Sequence, residues 1–170
     1  RPTVILVSLD GTRPADVSER NLPSLVALAA RGARAERLIP PLPANTFPSH
    51  VSLVTGVSPA RHGIVNNGFR DPEKGVFEKQ DAADWLEAEP LWSILEGHGI
   101  ATAAYHWVGS EGAPAGGRAP RHWRPFSKRT RESAKVEQIL AWLDLPESEG
   151  RPHFVATWFR GADHAGHETG

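Results

Sequence analysis
The chain of 170 residues carries 19 Lys and Arg against 20 Asp and Glu, a net charge of −1, with 39% hydrophobic and 23% charged residues. That is an ordinary globular composition, long enough for one domain that buries roughly two-thirds of its unfolded surface. It excludes a dedicated nucleic-acid or membrane-surface binder and a membrane span of roughly 18 apolar residues; with no cysteine it also excludes a disulfide framework or thiolate metal site.

The first element in chain order is "TVILVSLDG", a continuous apolar run ending in Asp-Gly. It reads as a strand buried on both faces, as in a parallel sheet. "NLPSLVALAARG" predicts a helix with Asn21 as cap, Pro23 in its first turn and Gly32 just past its end. "ARAERLI" suits a short strand. The proline-rich "PPLPANTFPSHVSLVTG" then leads to a single threonine, Thr46. Pro48 sits in the first turn of a short helix that Gly56 closes.

"EPLWSILEGHG" predicts another helix and "IATAAYHW" the strand behind it. Residues 112–125, with three Gly and three Pro, read as a loop. "RESAKVEQILAWLD" places Val136, Ile139, Leu140 and Leu143 on one helical face. "HFVATWF" is a last strand, running straight into "RGADHAGHETG". Strands alternating with helices predict an α/β domain on a mainly parallel sheet flanked by helices.

In open α/β sheets, ligands bind outside the carboxyl ends of strands. Asp10 ends the first strand, Asp163 and His167 follow the last, and Thr46 opens a helix. Each has an ordinary explanation alone: a turn, a chance D-x-x-x-H pair, a helix cap. Together they supply two carboxylates, an imidazole and an activatable hydroxyl. A helix N-terminus beside Thr46 favours an anion, and the flanking prolines stiffen the backbone that carries the hydroxyl. His50 is expected to be packed or hydrogen-bonded rather than a ligand, and His62 to set a turn with Gly63.

The blocks "VSLDGTRPADV", "NTFPSHVSLVTGVSPARHGIVNN", "EPLWSILEGHG", "AYHWVGSE", "ILAWLDLPESEGRPHF" and "GADHAGHETG" resemble, in order, those of the type I phosphodiesterase/nucleotide pyrophosphatase family of the alkaline-phosphatase superfamily. The resemblance implies an alkaline-phosphatase-like core. Residues 1–170 would be the N-terminal portion of a single catalytic domain. It implies two Zn²⁺ per complete active site, with Asp10 and the Thr46 oxygen on one and Asp163 and His167 on the other. Thr46 would be the nucleophile, forming a covalent phosphothreonine. Asn67 would donate its amide to a non-bridging phosphate oxygen, together with the Thr46 backbone N–H. Phe47 would stack on a nucleobase or other leaving group, with Phe126 as the opposite wall. Trp158, where the family commonly has Tyr, would edge the pocket. His164 and Glu168 would point away from the ligand pair.

The implied activity is zinc-dependent cleavage of phosphodiester or pyrophosphate bonds in small nucleotide-type substrates. Alternatives are a phosphonate hydrolase of the same superfamily, such as a phosphonoacetate hydrolase, and a non-catalytic remnant that binds a phosphorylated ligand or a partner. Ser49 and Val108 depart from the family's "FPNH" and "WPGS" blocks without touching an implied ligand. The family's Asp-His-Gly block and a late His normally lie beyond the position of Gly170. Catalytic zinc takes about three protein ligands, so residues 1–170 by themselves are expected to bind zinc weakly and not turn over. The chain begins at Arg1 beside an apolar run and has no Met. That fits a start trimmed by signal-peptide removal or by choice of boundaries; the resemblance implies an exported protein, since bacterial zinc enzymes of this kind are often exported, and such a start agrees with it.

Overall fold
The computed structural model describes residues 2–79 and 81–169. The chain divides into two compact units: residues up to Ser8 with Pro41–Trp158, and Leu9–Pro40 with the residues from Phe159 onward. The principal element is a four-stranded sheet of β1 (Val4–Leu9), β4 (Thr102–Tyr105), β5 (His122–Arg124) and β6 (Phe154–Phe159), in the order β1-β6-β4-β5. β4 runs parallel to both β5 and β6, with Ala103 opposite His122 and Val155. A parallel sheet flanked by helices is the architecture expected from the alternating elements.

The two central strands separate their side chains by the period of two that a pleated strand imposes. Ala104, Phe154, Ala156 and Trp158 face a cluster with Val54, Trp92 and Trp107. Val54 comes from α2 (Thr46–Thr55) and Trp92 from α5 (Leu91–Gly97). Ala103, Tyr105 and Val155 face the other way, onto Ile139 and Trp142 of α6 (Glu132–Leu143). Small alanines on the strands leave room for the indoles.

Several expectations are corrected. Among the described residues β1 stands at the end of the four-stranded sheet, where Val4, Ile5 and Val7 are 61%, 46% and 50% exposed rather than buried; of its residues only Leu6 packs on the first cluster. Residues 33–39 form no strand among the described residues. On α6 the buried residues are Lys135, Ile139 and Trp142, while Val136 and Leu140 stand exposed. The face is turned because Trp142 packs on Tyr105 and Lys135 buries its stem so that Nζ donates to the Trp158 carbonyl at 2.8 Å. A count of apolar residues does not register a lysine that snorkels inward. The 112–125 loop also closes with a short strand, β5.

A hairpin of β2 (Phe69–Asp71) and β3 (Gly75–Phe77) has no counterpart in the sequence reading. Asp71 accepts from the backbone N–H groups of Glu73 and Lys74, an Asx turn. Phe69 and Phe77 then pack with Phe47 and Trp85 around a third cluster. The chain also holds α3 (Pro59–His62) and α4 (Ala82–Trp85). In the second unit lie α1 (Pro23–Ala29), with Leu22 rather than Asn21 at its cap position, and α7 (Gly161–Thr169).

Candidate active site
Each unit carries part of the expected site. In the first, Thr46 is the opening residue of α2, after Asn45 in extended conformation (φ −94°, ψ 158°). A helix start leaves its first N–H groups without intrahelical acceptors. Here the Phe47 N–H donates to Asn67 Oδ1 at 2.9 Å, Pro48 has no N–H to satisfy, and the Ser49 N–H donates to the Asn45 carbonyl at 3.1 Å. Asn45 Nδ2 donates to Asn66 Oδ1 at 2.6 Å, and the same oxygen accepts from the Asn67 N–H at 2.8 Å. Asn66 and Asn67 are thereby clamped to the helix start. The Phe47 bond also orients the Asn67 amide: its oxygen faces the helix, so its NH₂ faces away.

His50 is 3% exposed, with Nδ1 2.7 Å from the Thr46 carbonyl and Nε2 2.8 Å from Ser8 Oγ. His62 is fully buried, accepts from the Ile64 N–H through Nδ1 at 3.2 Å and meets Ser52 Oγ through Nε2 at 3.0 Å. Burial pushes the His62 imidazole below its ordinary pKa, opposed in part by hydrogen bonds with backbone at Pro48 and at its own residue. Both histidines are hydrogen-bonded packing residues, and Gly63 beside His62 takes φ 85°.

The aromatic candidates stand in two groups. Phe47 meets Phe77 edge-on at 5.9 Å. Phe126, 45% exposed, stacks on Trp158 at 5.2 Å and 24° and leans on His106 at 5.4 Å. Trp158 is 7% exposed beneath that ring, so the face this pair offers to solvent is mainly that of Phe126.

In the second unit, the Asp10 N–H donates to the Phe159 carbonyl at 2.9 Å, and the Asp10 carbonyl accepts from the Asp163 N–H at 3.1 Å. The two aspartates are thus joined through their backbones. Gly11 makes this possible, with φ 71°, and a Cβ there would lie 2.6 Å from Cα of Asp163. From sequence, Asp10 is a candidate ligand and Gly11 only part of an ordinary turn; the signal for the close approach is the glycine directly after a strand-ending aspartate. On α7, Asp163 Oδ1 and His167 Nε2 lie 3.5 Å apart, one helical turn along, with side chains 35% and 80% exposed. His164 and Glu168 form a second pair at 3.3 Å. Carboxylate oxygen and imidazole nitrogen are the donors zinc takes in cysteine-free sites. Among the described residues, no three His, Asp or Glu side chains gather as a metal would require.

A sequence profile described as type I phosphodiesterase/nucleotide pyrophosphatase matches residues 4–170. A pyrophosphatase/phosphodiesterase of Schizosaccharomyces pombe, itself uncharacterized, is 36% identical over 99% of this chain and 36% of its own length. Ectonucleotide pyrophosphatase/phosphodiesterase family member 3 of Rattus norvegicus is 33% identical over 100% of this chain and 20% of its own length. The chain belongs to the type I phosphodiesterase/nucleotide pyrophosphatase family. The fold is similar to part of that of murine ectonucleotide pyrophosphatase/phosphodiesterase 5, with TM-score 0.88 at 24% identity, over 97% of this chain and 45% of that one. The chain thus spans about a third or less of the length of these curated relatives and under half of the solved one.

Proposed function
We propose that this chain is the N-terminal portion of a single catalytic domain, and that the whole domain hydrolyses phosphodiester or pyrophosphate bonds of small nucleotide-type substrates through a phosphothreonine. The observation that carries this reading is the helix start at Thr46, clamped by Asn45, Asn66 and Asn67, within a chain of this family. A murine relative of the same fold supports it, having been described as an inactive threonine-to-alanine form in complex with AMP. The word "ectonucleotide" in the relatives' names is compatible with an exported protein. Among the described residues no helix is long and apolar enough to cross a membrane.

Asp10, Asp163 and His167 are the side chains that would hold zinc; their oxygen and nitrogen donors fit that ion. The chemistry such ions supply when bound is Lewis acidity toward oxygen, which makes a hydroxyl easier to deprotonate. Thr46 Oγ bonds to phosphorus as the phosphorus–oxygen bond to the leaving group breaks; the threonine proton passes to solvent and the departing oxygen takes one up. Water then cleaves the threonine–phosphate ester, restoring the hydroxyl and releasing the phosphate product. The Asn67 NH₂ donates to a non-bridging oxygen, where transition-state charge gathers. Phe47 and Phe126 offer ring faces to the leaving group.

The test is Thr46→Ala in the full-length protein, assayed on p-nitrophenyl thymidine phosphate. The expected outcome is loss of turnover with an unchanged circular dichroism spectrum. Near-normal activity in a folded variant would overturn the nucleophile assignment.

A further inference from the structure
We infer that His50 is a positioning residue for the nucleophile, holding Thr46 through its backbone; the inference rests on Thr46 having that role. The ring spans two elements of the first unit. Nδ1 lies 2.7 Å from the Thr46 carbonyl and Nε2 2.8 Å from Ser8 Oγ of β1. A carbonyl oxygen only accepts, so Nδ1 carries the proton. Nε2 meets the Ser8 hydroxyl, which can either donate to it or accept from it.

The ring has no freedom to leave this position. It is wedged between Trp107, 5.2 Å away and edge-on, and Trp158, 5.5 Å away. The Trp107 indole N–H donates to the carbonyl of His50 itself at 3.2 Å. The residue is 3% exposed. The Thr46 backbone is therefore referenced to the central sheet as well as to its own helix. Reactive groups need such locking, because a displacement of about 1 Å can cost on the order of 100-fold in rate.

Two isosteric amides separate this role from plain packing. His50→Asn places an NH₂ near the Nδ1 position and keeps the donor to Thr46. His50→Gln places its amide near Nε2 and keeps the Ser8 contact only. In the full-length zinc-loaded protein, His50→Gln is expected to lower kcat by about 10- to 100-fold with KM within about twofold. His50→Asn should retain most of kcat, at a comparable thermal midpoint. Equal kcat for the two variants, or a loss confined to KM, would overturn the inference. Ser8→Ala gives an independent arm that leaves the ring in place. It should lower kcat by about threefold or more without moving KM, and unchanged kcat in that variant would also overturn the inference. Thr46→Ala run alongside keeps the cases apart. If Thr46→Ala is active, the nucleophile reading fails; if it is dead while the His50 and Ser8 variants keep full kcat, only the positioning role fails.

Discussion

Gly11→Ala tests the backbone junction between Asp10 and Asp163 directly. Two costs add at this position. The first is conformational: φ is 71°, a left-handed backbone that costs an L-residue about 1–2 kcal/mol. The second is steric: the new Cβ would lie 2.6 Å from Cα and 2.8 Å from N of Asp163. Those are backbone atoms, so no rotamer change relieves the overlap, and overpacking of this kind costs about 1–3 kcal/mol. The sum is about 2–5 kcal/mol. Gly56 provides the internal control, with φ 70° and nothing within 4 Å of its Cβ position; Gly56→Ala carries the first cost alone. Urea unfolding followed by far-ultraviolet circular dichroism should place Gly11→Ala about 1–3 kcal/mol below Gly56→Ala. Isothermal titration with zinc should show the full-length Gly11→Ala protein binding about 10-fold or more weakly, because the Asp10–Asp163 hydrogen bond must give way. Equal stability of the two variants would refute the steric reasoning.

Asn67→Asp keeps an oxygen for the Phe47 N–H but replaces the outward NH₂ with an acceptor. Its urea midpoint should stay near that of the parent while kcat/KM falls by about 100-fold or more; retained activity would remove the amide from the mechanism. Asn67→Ala should in addition lose about 1–3 kcal/mol of stability, since the Phe47 N–H loses its acceptor. His62 contributes a pH dependence of known sign. Its folded-state pKa is depressed by burial, so below about pH 6.5 the unfolded chain binds a proton that the native chain resists. The stability it supports is complete above that pH and is lost as the pH falls toward the folded value, with a slope of up to about 1.4 kcal/mol per pH unit. Urea midpoints at pH 7.5 and 5.5 should therefore converge in His62→Gln; an unchanged difference would show that other groups carry the dependence.

Local pattern alone determined much of this molecule. The apolar runs at 4–9 and 154–159 become strands, the Pro48–Gly56 punctuation marks α2, and the ordered blocks specify the family. These features were legible because capping, strand period and motif spacing act over a few residues. The assignment of His50 to packing or hydrogen bonding, and of His62 to the turn at Gly63, also followed from local pattern; the full burial of His62 did not.

Tertiary structure decided what depends on partners distant in the chain. Whether β1 is buried depends on what lies beside it in the sheet, which among the described residues is β6 alone, and its own six residues do not encode that. Which side of α6 turns inward depends on Tyr105 and on a carbonyl at Trp158, 23 residues beyond Lys135. Gly11 becomes indispensable only because Asp163 arrives against it, and the Asn67 amide acquires its direction only from the Phe47 N–H. A hydrogen bond or a steric contact belongs to two residues at once, and a stretch of sequence names only one of them.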